Sequence, residues 1–348
     1  MTTPALDDRS SEVLKSLIQT HVETGEPVGS ESLARLLSRP LSSATVRNIM
    51  AELERAGLLD HPHTSAGRVP TDDGYRYYVD SLMGKPPLQA RDAAAIRSGM
   101  RREGSPQEVI ENACHLLSLL SRNVAFVLAP DIAQTSLRQI DFVRLPAPRV
   151  LVVIVGQSGL ITHKVVDVEV EEELSAEDLR ECANYLNAHF AGLRLSEVRG
   201  RLLALMQEEK ALYDSLLKKV LSVSGPAFAS EGQGSVYLDG ASNMIEKAEF
   251  EDRARMQSLF KTFEEKGRLV KILNACLSDE GVRILIGREN PEPEFRDTSL
   301  VAASYPIDGE SRWGVGVVGS TRMEYARVVA LVDHVAREIS RALQELRT

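Results

Sequence analysis

Several protein classes are excluded by what this chain has little of. Only three of its 348 residues are cysteines, Cys114, Cys182 and Cys276, far apart and with no Cys-x-x-Cys spacing. Such usage rules out a disulfide framework and a cysteine zinc site. It fits a reducing compartment in which thiols serve as small apolar side chains. No apolar run approaches the roughly 20 residues that span a bilayer. The stretch Met1 to Ser10 is polar and acidic and does not read as a signal peptide. A cytoplasmic location without a membrane partner is expected. Positive charge is also short: 41 Lys/Arg face 50 Asp/Glu, a net charge of −9. Residues 1–85 carry nine Lys/Arg against twelve Asp/Glu, a net of −3. A protein that coats nucleic acid by charge alone has the opposite balance.

Enzyme signatures are missing too. There is no Walker loop and no G-x-S-x-G elbow. Gly156-Gln157-Ser158-Gly159-Leu160 misses the elbow by one position and reads as a hairpin turn. Gly314-Val315-Gly316-Val317-Val318-Gly319 is a formal G-x-G-x-x-G before a helix, but no strand with an acidic ribose ligand follows it. Its valines read better as a strand. His61 and His63 lack a third metal ligand nearby. No catalytic residue, cofactor or metal is expected.

The composition, 43% hydrophobic and 26% charged, is that of an ordinary soluble protein with room for two or three domains. The most informative stretch is Leu41 to Leu53. Val46, Ile49, Met50 and Leu53 recur at i, i+3, i+4, i+7, the core stripe of an amphipathic helix. Ser42 or Ser43 can cap its start. The opposite side of the first turns carries Ser43, Ala44, Thr45, Arg47 and Asn48, short or double-donor side chains that can approach base edges in a major groove.

The flanks complete a pattern. Asp8 to Thr24 is a helix with Val13, Leu14, Leu17, Ile18, His21 and Val22 on one face, stopped by Gly25-Glu26-Pro27. Ser30 to Ser38 is a shorter helix, joined to the next by Arg39-Pro40-Leu41. Leu58-Leu59-Asp60 and Arg68-Val69-Pro70 form two short strands around the turn Thr64-Ser65-Ala66-Gly67. Three helices and a hairpin describe a winged helix-turn-helix, with its second paired helix in the groove and the wing on the backbone or minor groove. The candidate DNA-contacting residues are Ser43, Ala44, Thr45, Arg47 and Asn48 on the helix, and His63, Thr64, Ser65 and Arg68 on the wing. Tyr75, Tyr77 and Tyr78 can stack on bases, but the favoured reading is that they pack helix 71–83 against the wing and linker.

Gly84-Lys85-Pro86-Pro87 reads as a linker. Helices follow over 91–102 and 106–120, then β-rich segments at 124–128, 139–145, 150–155 and 160–170. Late strands are expected at 282–287, 299–305 and 314–318, before a closing helix over 321–346 with Val328, Val332, Val335 and Ile339 on one face. Between these groups, 176–190, 196–222 and 248–277 read as helices and 225–240 as looser, with one strand near 235–238. Strands, helices, then strands suggest an α/β domain interrupted by an insertion. Leu202, Leu203, Leu205, Met206, Leu212, Leu216 and Leu217 give the helices 176–190 and 196–222 more apolar surface than one helix pair can hide. Part of it is expected to cover the α/β domain and part to meet a second copy.

The chain resembles the HrcA family of bacterial heat-inducible transcription repressors. The resemblance rests on Glu23-Thr24-Gly25-Glu26-Pro27-Val28-Gly29-Ser30, on Leu41 to Asn48 with Ala51-Glu52-Leu53-Glu54, and most densely on His61 to Asp80. A second signature is Gly316-Val317-Val318-Gly319-Ser320-Thr321-Arg322-Met323-Glu324-Tyr325. Ser43 and Ser320 stand where the family commonly has Pro; neither change threatens the fold. The resemblance implies a multidomain α+β fold. Its parts are a winged helix over 1–85, a linker and helix over 86–105, a GAF-like domain with antiparallel sheet over 106–170 and 280–348, and a mostly helical inserted dimerisation region over 171–279. It further implies a dimer on an inverted-repeat operator, the CIRCE element ahead of chaperone operons such as groE and dnaK. Derepression by heat and a GroEL chaperonin partner come with the resemblance. A second reading stays open: a GAF-like regulator that senses a small molecule and uses a different operator.

Overall fold

The computed structural model describes residues 6–62, 67–84, 87–129, 136–146, 149–157, 159–168, 174–208, 214–228, 236–245, 253–276, 281–306 and 312–346. The N-terminal part is a winged helix. Helices α1 (Asp8–Thr24), α2 (Ser30–Leu36) and α3 (Ser43–Arg55) precede the strands β1 (Leu59–Asp60) and β2 (Val69–Pro70). The strands pair antiparallel, Leu59 opposite Pro70 and Asp60 opposite Val69. Asp7 caps α1 by accepting from the Ser10 N–H at 2.8 Å, and Gly25 ends it in the left-handed conformation. Val13, Leu14, Leu17, Ile18, Leu33, Val46, Met50 and Leu53 close over one another as the apolar spacing requires.

Helix α4 (Asp72–Tyr77) follows, continuing as a π-helical turn over Tyr78–Leu82. A Cβ on Gly74 would collide with the Leu58 carbonyl, so glycine is what lets α4 lie against the hairpin. The expected linker does not isolate this unit. Tyr75 is buried, and its ring lies 5.7 Å from that of Tyr325, far along the chain. The winged-helix core and the C-terminal core are one continuous apolar cluster.

The C-terminal body is built on a five-stranded sheet. Its strands are β3 (Val124–Leu128), β7 (Val236–Asp239), β8 (Val282–Ile286), β9 (Thr298–Pro306) and β10 (Arg312–Ser320), in the order β7-β3-β10-β9-β8. Every neighbouring pair is antiparallel. Ala125 and Val127 face one layer, with α6 (Pro106–Ser121) and α13 (Tyr325–Glu345); Val124, Phe126 and Leu128 face the other, with α11 (Arg253–Glu264) and α12 (Lys266–Cys276). Burial on both faces explains the unbroken apolar run of β3. Gly314 to Gly319 lies within β10, paired on both edges. A Cβ on Gly316 would strike the Val301 carbonyl, so that glycine serves sheet packing.

The remaining strands group differently from expectation. β4 (Leu137–Arg144), β5 (Arg149–Gly156) and β6 (Ile161–Asp167) form a separate antiparallel sheet. They do not extend the sheet of β3, whose edge is taken by β7. Their inner face, Leu137, Ile140, Val150, Val152, Ile154 and Val166, is covered by α7 (Ala176–Phe190), α8 (Leu195–Glu208) and α9 (Asp214–Phe228). By hydrogen bonding and core, the strands 137–167 belong with those helices, while β7, α11 and α12 belong with the large sheet. That shifts both edges of the expected insertion at 171–279. The single helix expected over 196–222 is two, α8 and α9, with 209–213 outside the described residues. Helix α9 also runs through Gly225 and Pro226, where looser chain was expected. Buried Val223, Ala227 and Phe228 hold that turn, and Lys164 Nζ donates to the Pro226 carbonyl at 2.7 Å.

Helix α5 (Ala90–Gly99) is pinned to α13 by a buried ion pair. Asp92 is 3% exposed and accepts from Arg327 Nε at 2.9 Å and Nη2 at 3.2 Å. These bonds hold the Asp92 carboxyl below its ordinary range against the opposing effect of burial. Among the described residues no helix is long and apolar enough to cross a membrane.

Asp92→Ala strands Arg327 in the seam, and a loss of about 3 kcal/mol is expected in urea unfolding. A loss below about 0.5 kcal/mol, the range of ordinary surface substitutions, would refute the role. Because the folded carboxyl titrates low, its contribution is complete above the unfolded value of about 3.9. It disappears as pH falls through the depressed folded value, so Asp92→Ala should flatten the acid limb of the stability curve.

Candidate nucleic-acid interface

Helix α3 divides into two faces. Val46, Ile49, Met50 and Leu53 point into the winged-helix core. Ser43, Ala44, Thr45, Arg47 and Asn48 are exposed. Of the two candidate caps, Ser42 is the one used: its Oγ accepts from the Thr45 N–H at 3.1 Å and lies 2.8 Å from the Thr45 hydroxyl. Ser43 is therefore the first residue of the helix, the position where proline is also favoured. Among the described residues, neither Arg47 nor Asn48 is held by an ion pair or side-chain hydrogen bond. Both are left with their donors directed at solvent, as base readout needs.

The wing is partly placed. His63, Thr64 and Ser65 lie outside the described residues. Gly67 returns the hairpin against the start of α2, and a Cβ there would collide with the Val28 backbone. Arg68 exchanges backbone hydrogen bonds with Val28 at 2.9 and 3.0 Å. Its guanidinium Nε donates to Glu54 Oε2 of α3 at 2.9 Å, and its side chain is 22% exposed. Arg68 thus ties the wing to the helix that carries Arg47 and Asn48.

The sequence reading missed what fixes this unit to the body. Arg76 of α4 donates from Nε to Glu289 Oε1 at 2.7 Å and from Nη2 to the Ile284 carbonyl at 2.7 Å. Arg288 donates its backbone N–H to Asp72 at 3.0 Å. Tyr77 accepts from the Leu6 N–H at 3.0 Å. The three tyrosines therefore pack, as favoured, although the surface that meets Tyr75 is α13. The density of the 71–80 motif was the available signal, since residues on an exposed face have no reason to be so specific.

Among the described residues no three His, Cys, Asp or Glu side chains are grouped to hold a metal. The Cys114 thiol is pushed up to about 12 by burial, and the Cys182 thiol to about 11. Both are unreactive, small apolar fillers.

Residues 5–80 match the winged helix-turn-helix DNA-binding domain of the HrcA transcription repressor, and residues 107–329 match the HrcA C-terminal domain. The chain is 39% identical over 341 residues to the heat-inducible transcription repressor HrcA of Geobacter sulfurreducens, covering 97% of this chain and 98% of that one. It is 36% identical over 344 residues to the repressor of the same name from Syntrophobacter fumaroxidans, covering 98% of each. A crystal structure described only as a hypothetical protein shares the fold at TM-score 0.66 and 20% identity, over 98% of this chain and 99% of that one. The named relatives are transcription repressors, a non-enzymatic function. The chain belongs to the HrcA family of heat-inducible transcription repressors.

Proposed function

We propose that this repressor binds an inverted-repeat operator of the CIRCE type ahead of chaperone operons such as groE and dnaK, as a homodimer, with Ser43, Ala44, Thr45, Arg47 and Asn48 in the major groove. The observation that supports it most is the solvent-facing, unengaged pair Arg47 and Asn48 on a capped helix of a winged helix-turn-helix. A two-fold dimer presents two such helices, which matches an inverted repeat. The low positive charge of residues 1–85 suits base contacts on two half-sites better than non-specific coating. Release on heating, and a GroEL chaperonin that restores the active fold, extend the reading from the family. So do the GAF-like character of the large-sheet unit and the dimerising role of the smaller one. His63, Thr64 and Ser65 complete the proposed contact set at the wing tip.

Of the residues expected to meet a second copy, the side chains of Leu203, Met206, Leu212, Leu216 and Leu217 lie outside the described residues, and we infer a dimer surface from the described ones. The described apolar residues of α7 and α8 are spent on the inner face of the small sheet. Among the described residues its outer face is uncovered. Val143, Leu151 and Val165 stand in one cross-strand row, and Val155 and Ile161 in another, with Val153 between them. Val143, Ile161 and Val165 are each about half exposed or more. An aliphatic face of this kind on a two-fold repressor suits a second copy of itself.

Footprinting on the chaperone promoters tests the function: protection of an inverted repeat supports it, and no protection anywhere refutes it. Arg47→Ala and Asn48→Ala should each weaken operator binding by about 1–3 kcal/mol and relax preference at one base pair per half-site. Normal binding by both folded variants would exclude α3 as the reader. Arg68→Ala should lower affinity through a displaced wing and leave the salt slope nearly unchanged. A slope smaller by about one unit would instead assign Arg68 a direct phosphate contact. Ile161→Asp with Val165→Asp should sediment as a folded monomer and lose operator affinity on the order of a hundredfold; a persistent dimer would move the interface elsewhere.

A further inference from the structure

The seam between the winged helix and the body is not closed. A cavity of about 230 Å³ lies between α1 and the start of α13, walled by Ile18, Val22, Tyr78, Leu88, Met323 and Ala330, with Gln19, Glu23, Gln89, Glu324 and Arg327 as its polar lining. Val22, Met323, Glu324 and Arg327 also wall a second cavity of about 520 Å³. The second carries four arginines, Arg91, Arg122, Arg322 and Arg327, against a single lining carboxylate, Glu324. Asp92 lies behind this wall, 3.7 Å from Arg91 and 2.9 Å from Arg327. Counting it and Glu23 of the first cavity, four guanidiniums still exceed three carboxylates, in a chain whose net charge is −9.

Helix capping accounts for part of this cluster. Arg322 Nη1 donates to the Val22 carbonyl at 3.5 Å, near the C-terminal end of α1. Arg327 is committed to Asp92. Arg122 has no such explanation. Its side chain is exposed, and it makes no ion pair among the described residues. It also ends α6 in the left-handed conformation with φ 52°, where glycine or asparagine is the favoured residue. An arginine placed there at a backbone cost, on the rim of a basic cavity, points to use of its side chain.

We propose that the seam is a binding site for a small amphiphilic carboxylate. Its head group sits among Arg91, Arg122 and Arg322, whose planar forks match a carboxylate. Its apolar body enters the inner cavity between Ile18, Val22, Leu88 and Met323. A cavity of about 150 Å³ takes a benzene ring, so the inner one takes a chain of roughly eight carbons. Both walls are shared between the winged helix and the body. An occupant therefore bears on how the DNA-binding unit is held, because a ligand that favours one docking pose shifts the population towards it.

The test is calorimetric titration of the full chain with octanoate, alongside octanol, acetate and inorganic phosphate. Saturable binding of one octanoate per chain is expected, with no comparable binding of the other three. Arg122→Asn keeps a residue that accepts the left-handed conformation. It should weaken octanoate at least tenfold while leaving thermal stability and operator binding without octanoate unchanged. Equal binding of octanol would reduce the seam to an apolar crevice, and equal binding of phosphate would reduce it to a surface anion cluster; either overturns the proposal. So does an absence of saturable binding at millimolar concentration. A loss of operator affinity in Arg122→Asn for all DNA sequences, with a lower salt slope and unchanged octanoate binding, would make Arg122 a DNA-phosphate contact and also overturn it.

Discussion

The docking of α4 onto the start of α13 is the contact on which the arrangement of this repressor depends. Tyr75 stacks at a tilt on Tyr325 in a buried setting, while Arg76 bridges Glu289 and the Ile284 carbonyl at the rim. Aromatic burial supplies most of the favourable free energy of such a contact. The directional hydrogen bonds fix its angle. Gly74 is the local condition for it, since only a residue without a side chain lets α4 lie against the Leu58 carbonyl. The winged helix is thereby an extension of the C-terminal core, and the position of α3 in space follows from that of α13.

This arrangement has a functional consequence. A DNA-binding domain with little positive charge gains little from phosphate contacts, so under the proposed reading it would depend on how two copies are presented to two half-sites. Attachment to the body fixes where α3 is held, so in the proposed dimer it would set the spacing of the two α3 helices. A change in the body would then reach the DNA-binding domain through the seam without touching α3. The ion pair of Asp92 with Arg327 lies in the same region. The charges that hold α5 to α13 therefore border the surface by which the winged helix is carried.

Much of the local structure was legible in the residue pattern. The spacing of Val13, Leu14, Leu17 and Ile18 placed α1, and Val46, Ile49, Met50 and Leu53 placed α3. The run Val124 to Leu128 placed β3, and the face of Val328, Val332, Val335 and Ile339 placed α13. The exposed residues of α3 were legible for the same reason, because a periodic stripe names its opposite side. Less legible was anything that depended on a partner distant in sequence. Helix α9 continues through Gly225-Pro226 because its last turn is buried against the small sheet, an environment no local propensity encodes.

Hydrophobic period, capping residues and turn chemistry are short-range properties, and the sequence by itself determined what depends on them: most of the helices and strands, the winged-helix motif, the burial of Cys114 and Cys182 and the exposed face of α3. Tertiary structure alone decided which strands share a sheet. The strands β3 and β4 are neighbours in sequence and both apolar, yet β3 pairs with β7 and β10 while β4 pairs with β5. It also decided that Arg68 holds Glu54, that Tyr75 meets Tyr325, and that four arginines from three separate segments face one cavity. Each of these is a long-range pairing. Its energy comes from burial and charge complementarity at assembly, and that complementarity has no signature in the local order of residues.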